Sequence, residues 1–107
     1  MNPRGWALPF AVRWSSTAWQ QYQEALDFVA VDRPQAALEQ DASIIRAVAR
    51  LGAFPKLGRA GRVRGTRELV VSGTPFIVVY RIQEDAGAVQ VIRFLHGAQQ
   101  WPAPGKS

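Results

Sequence analysis

The sequence predicts an α+β domain in the order β-α-α-β-β-β, a helical hairpin packed on one face of an antiparallel sheet. Two amphipathic segments recur at helical spacing between Ala18 and Leu51. Three short β-type runs, parted by glycine- and proline-bearing turns, follow between Arg67 and Leu95. The apolar stripe of the hairpin has no partner except the sheet, so the helices must cover one of its faces.

The elements follow in order. In Phe10-Ala11-Val12-Arg13-Trp14, alternation puts Phe10, Val12 and Trp14 on one side of a short strand. Ser15-Ser16-Thr17 supplies hydroxyls that accept the free amides of a helix start. Trp19, Tyr22, Leu26 and Val29 then repeat at helical spacing, widened by Ala25 and Phe28, and this helix ends near Val31. Asp32-Arg33-Pro34 breaks it and opens a second helix, because proline costs little in a first turn. Ala37, Leu38, Ile44, Ile45, Val48 and Leu51 form its apolar face, and Gly52 is a natural stop. So short a break makes an antiparallel hairpin.

Residues 53–66 form a long connection rich in glycine and arginine, the kind of loop expected to be functional or mobile. Arg67 to Val71 is a strand, Ser72-Gly73-Thr74-Pro75 a turn, and Phe76 to Ile82 a second strand. Gln83 to Gly87 turns into a third, Ala88 to Leu95. Short turns imply an antiparallel meander. The run Phe-Ile-Val-Val-Tyr reads as its central strand, covered on both faces. Residues 1–9 are expected as an irregular arm, 10–102 as one domain, and 103–107 as a frayed tail.

Composition narrows the chemistry. At 107 residues and 48% apolar, the chain is a single folded domain. It has no cysteine, which excludes disulfides, thiolate zinc sites and thiol nucleophiles and agrees with a reducing, cytoplasmic setting. No apolar run approaches the roughly 18–20 residues that cross a membrane, so no membrane partner is expected. The net charge is +5, and with Lys56 and Lys106 the only lysines, eleven of the 13 cations are arginine. Arginine favours planar recognition of carboxylate and phosphate. The basic run Lys56, Arg59, Arg62, Arg64 and Arg67 can follow a nucleic-acid backbone, receive acidic residues of a partner protein, or simply be solvated. Arg67 and Glu68 can also pair with neighbours at the sheet edge. With one histidine and no cysteine, neither a metal site nor a cofactor is expected.

Four motifs in order carry a resemblance: Phe54-Pro55-Lys56-Leu57-Gly58-Arg59, Gly65-Thr66-Arg67-Glu68-Leu69, Pro75-Phe76-Ile77-Val78-Val79-Tyr80-Arg81 and Ile92-Arg93-Phe94-Leu95-His96. Over about residues 10–102 the chain resembles the RelE/ParE superfamily of type II toxin–antitoxin toxins, and its ParE branch more closely. The resemblance implies a small toxin that a cognate antitoxin wraps and neutralises in a toxin–antitoxin oligomer. It also implies one of two mechanisms. ParE-like members are associated with poisoning DNA gyrase, without a chemical step of their own. RelE-like members cut messenger RNA, usually on the ribosome.

Nuclease members commonly carry an arginine on the central strand where this chain has Ile77, and RelE carries another where this chain has Ala98. Both absences favour the gyrase reading. The nuclease alternative rests on His96, a candidate general acid or base, with Arg67, Arg81 and Arg93 to stabilise phosphate charge. A lone histidine at a strand end is, however, more often a hydrogen-bonded structural residue, and His96 is read first as that. Trp101 is expected either as a lid folded back on the sheet or as an interface anchor, and with Lys56, Arg59, Arg62, Arg64 and Arg67 it completes the candidate partner-binding set. A third reading is an inactive or regulatory member that only binds its antitoxin.

Overall fold

The structure is a computed structural model that describes residues 9–97 and 99–102. The expected arm before Pro9, the expected tail after Pro102, and Ala98 lie outside the described residues. The elements are β1 (Ala11–Trp14), α1 (Ser16–Asp32), α2 (Pro34–Ala53), β2 (Arg59–Ala60), β3 (Arg67–Val70), β4 (Phe76–Gln83) and β5 (Ala88–His96). Single 3-10 turns cover Pro55–Leu57 and Glu84–Ala86. This is the α+β arrangement expected from the sequence, strand, two helices and then strands in one sheet, with two additions.

First, the residue 53–66 connection contributes a strand of its own. The sheet is five-stranded in the order β1-β5-β4-β3-β2, with the two-residue β2 at its edge. So short a strand has no period to read, which is why the sequence presents it only as loop. Second, β1 joins the meander by pairing in parallel with β5, Ala11 against Ala88 through Trp14 against Val91. The two helices provide the long crossover that a parallel pair requires.

Ser15 sets the corner between β1 and α1. Its hydroxyl accepts the Ala18 amide at 3.0 Å and donates to the Ile92 carbonyl at 3.3 Å, so the helix cap is also tied to β5. Between the helices, the Tyr22 hydroxyl donates to Asp41 Oδ1. Burial first, and then the bonded carboxylate, raise the Tyr22 pKa.

Alternation along β4 divides the molecule. Phe76, Val78 and Tyr80 point under the helices with Val89, Val91 and Phe94 of β5, and meet Ala18, Ile44, Val48 and Leu51. Ile77 and Val79 point the other way and pack with Leu95, Ile92 and Trp101. The first five residues of β4 are buried, as expected of a central strand covered on both sides. Val79 pairs with Arg93 and Tyr80 with Val91, so Ile92 is an extra residue in β5. This bulge turns both Ile92 and Arg93 toward the face away from the helices.

Gly52 is not the stop of α2, which runs on to Ala53. It is fully packed inside the last turn, and its carbonyl accepts the Phe10 amide at 2.7 Å. A Cβ there would lie 2.8 Å from the Phe10 carbonyl oxygen, against backbone that cannot swing aside. Alanine has the better helix propensity, by up to about 1 kcal/mol, but this clash outweighs it. Gly52→Ala is therefore expected to destabilise the fold by about 1–2 kcal/mol, read as a lower denaturation midpoint in urea at unchanged slope.

Candidate functional site

The basic segment that follows α2 is pinned rather than loose. At its centre the Tyr80 hydroxyl, fully buried, donates to the Pro55 carbonyl at 2.6 Å and accepts the Gly58 amide at 2.8 Å. Burial raises the Tyr80 pKa, with the Gly58 donor and the nearby Arg67 charge opposing it. Gly58 has to be glycine because of this approach. A Cβ would stand 2.7 Å from the Tyr80 hydroxyl and 2.8 Å from the Glu68 carbonyl. Arg67 adds a third clamp, donating through Nη1 to the carbonyls of Gly58 at 2.8 Å and Lys56 at 3.4 Å.

Glu68 holds the next stretch. Its side chain has no exposed surface, yet it carries a carboxylate. The Arg62 backbone amide donates to Oε2 at 2.8 Å, Arg59 Nη2 lies 3.2 Å from Oε1, and Arg62 Nε lies 3.2 Å from Oε1. Burial alone would raise the Glu68 pKa, but the Arg62 amide, the Arg59 hydrogen bond and both guanidinium charges together hold it below its ordinary value near 4.5. Thr66 closes the segment. Its hydroxyl donates to the Val63 carbonyl at 2.6 Å, and its own carbonyl accepts the Gly61 amide at 2.8 Å.

This framework sorts the candidate partner-binding cations. Arg67 is spent on backbone carbonyls, while Arg59 and Arg62 neutralise Glu68 yet keep 58% and 39% of their side-chain surface exposed. Lys56 and Arg64 are exposed. The segment thus presents a fixed rather than a mobile cationic edge.

The other concavity lies on the sheet face away from the helices. A groove of about 640 Å³ is lined there by Arg81, Gln83, Gln90, Arg93 and Trp101, among others. Trp101 folds back over Ile77, Val79, Leu95 and Ile92, and the Arg93 guanidinium sits 5.1 Å from the centre of its ring. Arg93 Nη1 also donates to the Ile92 carbonyl at 2.7 Å. Trp101 is half-buried, so it occupies the lid position expected as one of its two roles.

The four residues of the nuclease alternative are not brought together. Arg67 pairs with Tyr80 and His96 with Phe76, which places both on the helix side of the sheet. The His96 ring meets Phe76 edge-on at 6.3 Å, and its amide donates to Gln99 Oε1 at 3.2 Å. Arg81 and Arg93 line the opposite face. Ile77, at the position where nucleases commonly carry arginine, is buried in the apolar cluster beneath Trp101. Among the described residues no group of three His, Cys, Asp or Glu side chains is placed to hold a metal.

Tyr80 and Glu68 organise this region, and neither stood out in the sequence as a site residue. The signals were present. A tyrosine closing a buried apolar run must find a partner for its hydroxyl, and a lone acid beside a basic run is a natural counter-ion.

Tyr80, Pro55, Gly58, Arg67 and Glu68, which lock the basic segment in place, lie within the motifs that carried the family resemblance, and comparison with known proteins decides the family. The family model described as "ParE toxin of type II toxin-antitoxin system, parDE" matches residues 12–101. The chain belongs to this family. It is 38% identical over 91 residues to a Sinorhizobium fredii (strain NBRC 101917 / NGR234) protein named "Putative toxin Y4kP", covering 85% of this chain and 92% of that one. Among solved structures it is similar to the chromosomal ParDE toxin–antitoxin system of P. aeruginosa, with a TM-score of 0.72, 24% identity, and 81% and 95% of the two chains covered. It is also similar to the toxin–antitoxin complex RelBE2 of Mycobacterium tuberculosis, with a TM-score of 0.62, 22% identity, and 83% and 99% covered. At these identities the two structures speak to the fold. The chain is thus a toxin of the ParE family of type II toxin–antitoxin systems.

Two expectations follow from the lock. Tyr80→Phe strands the Gly58 amide and the Pro55 carbonyl in the interior and should cost about 1–3 kcal/mol in chemical denaturation. Glu68, with its folded pKa depressed, contributes stability that is fully present above its unfolded value near 4.5 and lost as pH falls through the lower folded value. Stability of the native chain should therefore drop below about pH 4.5, and Glu68→Gln should flatten that part of the pH–stability curve.

Proposed function

We propose that this toxin inhibits DNA gyrase in the cytoplasm by binding it, without a chemical step of its own, and that a cognate antitoxin neutralises it. The observation that carries this reading is the split of the candidate catalytic set between two faces of the sheet, with Arg67 and His96 on one and Arg81 and Arg93 on the other. Cleavage through a 2′-hydroxyl needs base, acid and phosphate-binding cations around one scissile bond. With Ile77 buried where a cation would stand, and Arg93 stacked on Trp101, the open face offers a surface for gripping rather than cutting. The match to the ParE family over residues 12–101 and the likeness to a ParDE system support the same direction.

The messenger RNA endonuclease keeps one observation in its favour: Arg81 and Arg93 share a groove of about 640 Å³. One preparation, run in a gyrase supercoiling assay and in a translation extract with end-labelled messenger, separates the two. Gyrase inhibition with intact messenger is the expected result. New messenger cuts that vanish in Arg81→Ala, with normal supercoiling at large toxin excess, would transfer the assignment to the endonuclease.

A further inference from the structure

The helical hairpin carries more apolar surface than the sheet absorbs. Phe28, expected to widen the core stripe of α1, is 82% exposed, and Val31, one turn on, is 80% exposed. Leu38, expected in the apolar face of α2, is 66% exposed. Phe28 and Leu38 both stand five residues from the corner at Arg33, so they lie at one level about 8 Å from it, with Val31 beyond them. Exposed apolar residues gathered in this way mark an interaction surface, unlike single scattered ones. Four exposed carboxylates flank them: Glu24, Asp27, Asp32 and Glu39. In a chain of net charge +5, the stretch from Ser16 to Asp41 holds five acids and a single cation, Arg33.

This acidic tip projects past one end of the sheet. Gln40 of α2 shares a small hollow with Gly73 of the β3–β4 turn, so the residues nearer the corner stand beyond that turn. The other end of α2 reaches the opposite end of the sheet, where Gly52 packs on Phe10. There the charge reverses. From Arg46 to Arg67 the chain has seven cations and no acid. Phe54, 60% exposed, and the exposed Leu57 stand on either side of Lys56 in that stretch. Nucleic acid does not suit the tip, because its phosphates carry the same sign of charge. The complement of the tip is an apolar, basic surface, and the chain carries one at its own far end.

We infer that the acidic apolar tip of one chain docks head to tail on the basic apolar end of a second copy. Phe28, Val31 and Leu38 sit on Phe54 and Leu57, while the tip carboxylates face Lys56 and its neighbouring arginines. The apolar contact supplies the attraction, and the opposed charges set the direction. Two different surfaces meet, so each pair keeps one tip and one basic end free, and association continues beyond two chains. The surfaces are small, which puts the affinity on the order of 10–100 μM.

Sedimentation velocity on the full chain tests this. At about 50 mM salt the average mass should rise from one chain towards two and beyond between about 5 and about 500 μM protein, and less so at about 500 mM salt. Phe28→Ser/Leu38→Ser at the tip and Phe54→Ser/Lys56→Glu at the basic end should each, alone, weaken association at least about tenfold. All four side chains are exposed, and unchanged melting curves verify that the variants fold. An equimolar mixture of the two variants should regain the native affinity but stop at two chains, because each supplies one intact surface. A native chain that stays monomeric throughout would overturn the inference. Native-like association of either variant alone would overturn it too, by assigning the contact to like surfaces or to another face. So would a mixture that remains monomeric.

Discussion

The hydroxyl of Tyr80 donates to Pro55 and accepts from Gly58 inside the sheet, and the basic edge of the molecule depends on that pair of bonds. Without it, two buried backbone groups of the connection after α2 would have no partner, an arrangement that folded proteins avoid. With it, the chain is drawn close enough that Gly58 tolerates no side chain, and Arg67 can reach the carbonyls of Gly58 and Lys56. Glu68 then takes the next two arginines. A stretch whose own charges repel one another is thereby laid along β3 as the edge strand β2.

This lock changes how the cations are read. Arginines that look like a continuous phosphate-binding run have unequal freedom once folded, because an internal carboxylate and backbone carbonyls already satisfy several of them. Only the carboxylate is buried here; removing its partners would leave that charge uncompensated in the interior, which is costly. The value of the pairing is geometric. It fixes which guanidinium surfaces point outward.

The sheet itself keeps two chemistries apart. Period-two alternation sends Phe76, Val78 and Tyr80 to the helices and Ile77 and Val79 to the opposite face, and the bulge at Ile92 adds Arg93 to that second face. Trp101 covers the apolar patch this creates and stacks with Arg93. Candidate residues that sit close in sequence, such as Arg93 and His96, therefore end on different sides. The strand period and the bulge separate them.

Much of the fold was legible in advance. Helical spacing of Tyr22, Leu26 and Val29, the Ser15 cap, Pro34 in a first turn and the dense β-run from Phe76 each act through local geometry, and each formed as its residues imply. The motifs identifying the family were legible too, since they are short and contiguous. What only the tertiary structure decided depends on distant partners: the parallel seat of β1 beside β5, the packing role of Gly52 against Phe10, the capture of residues 53–66 by Tyr80 and Glu68, and the face to which each arginine belongs. Local periodicity determines what each segment forms. Which segments meet is set by burial and by the need to satisfy polar groups across the chain, and no window of sequence contains that information.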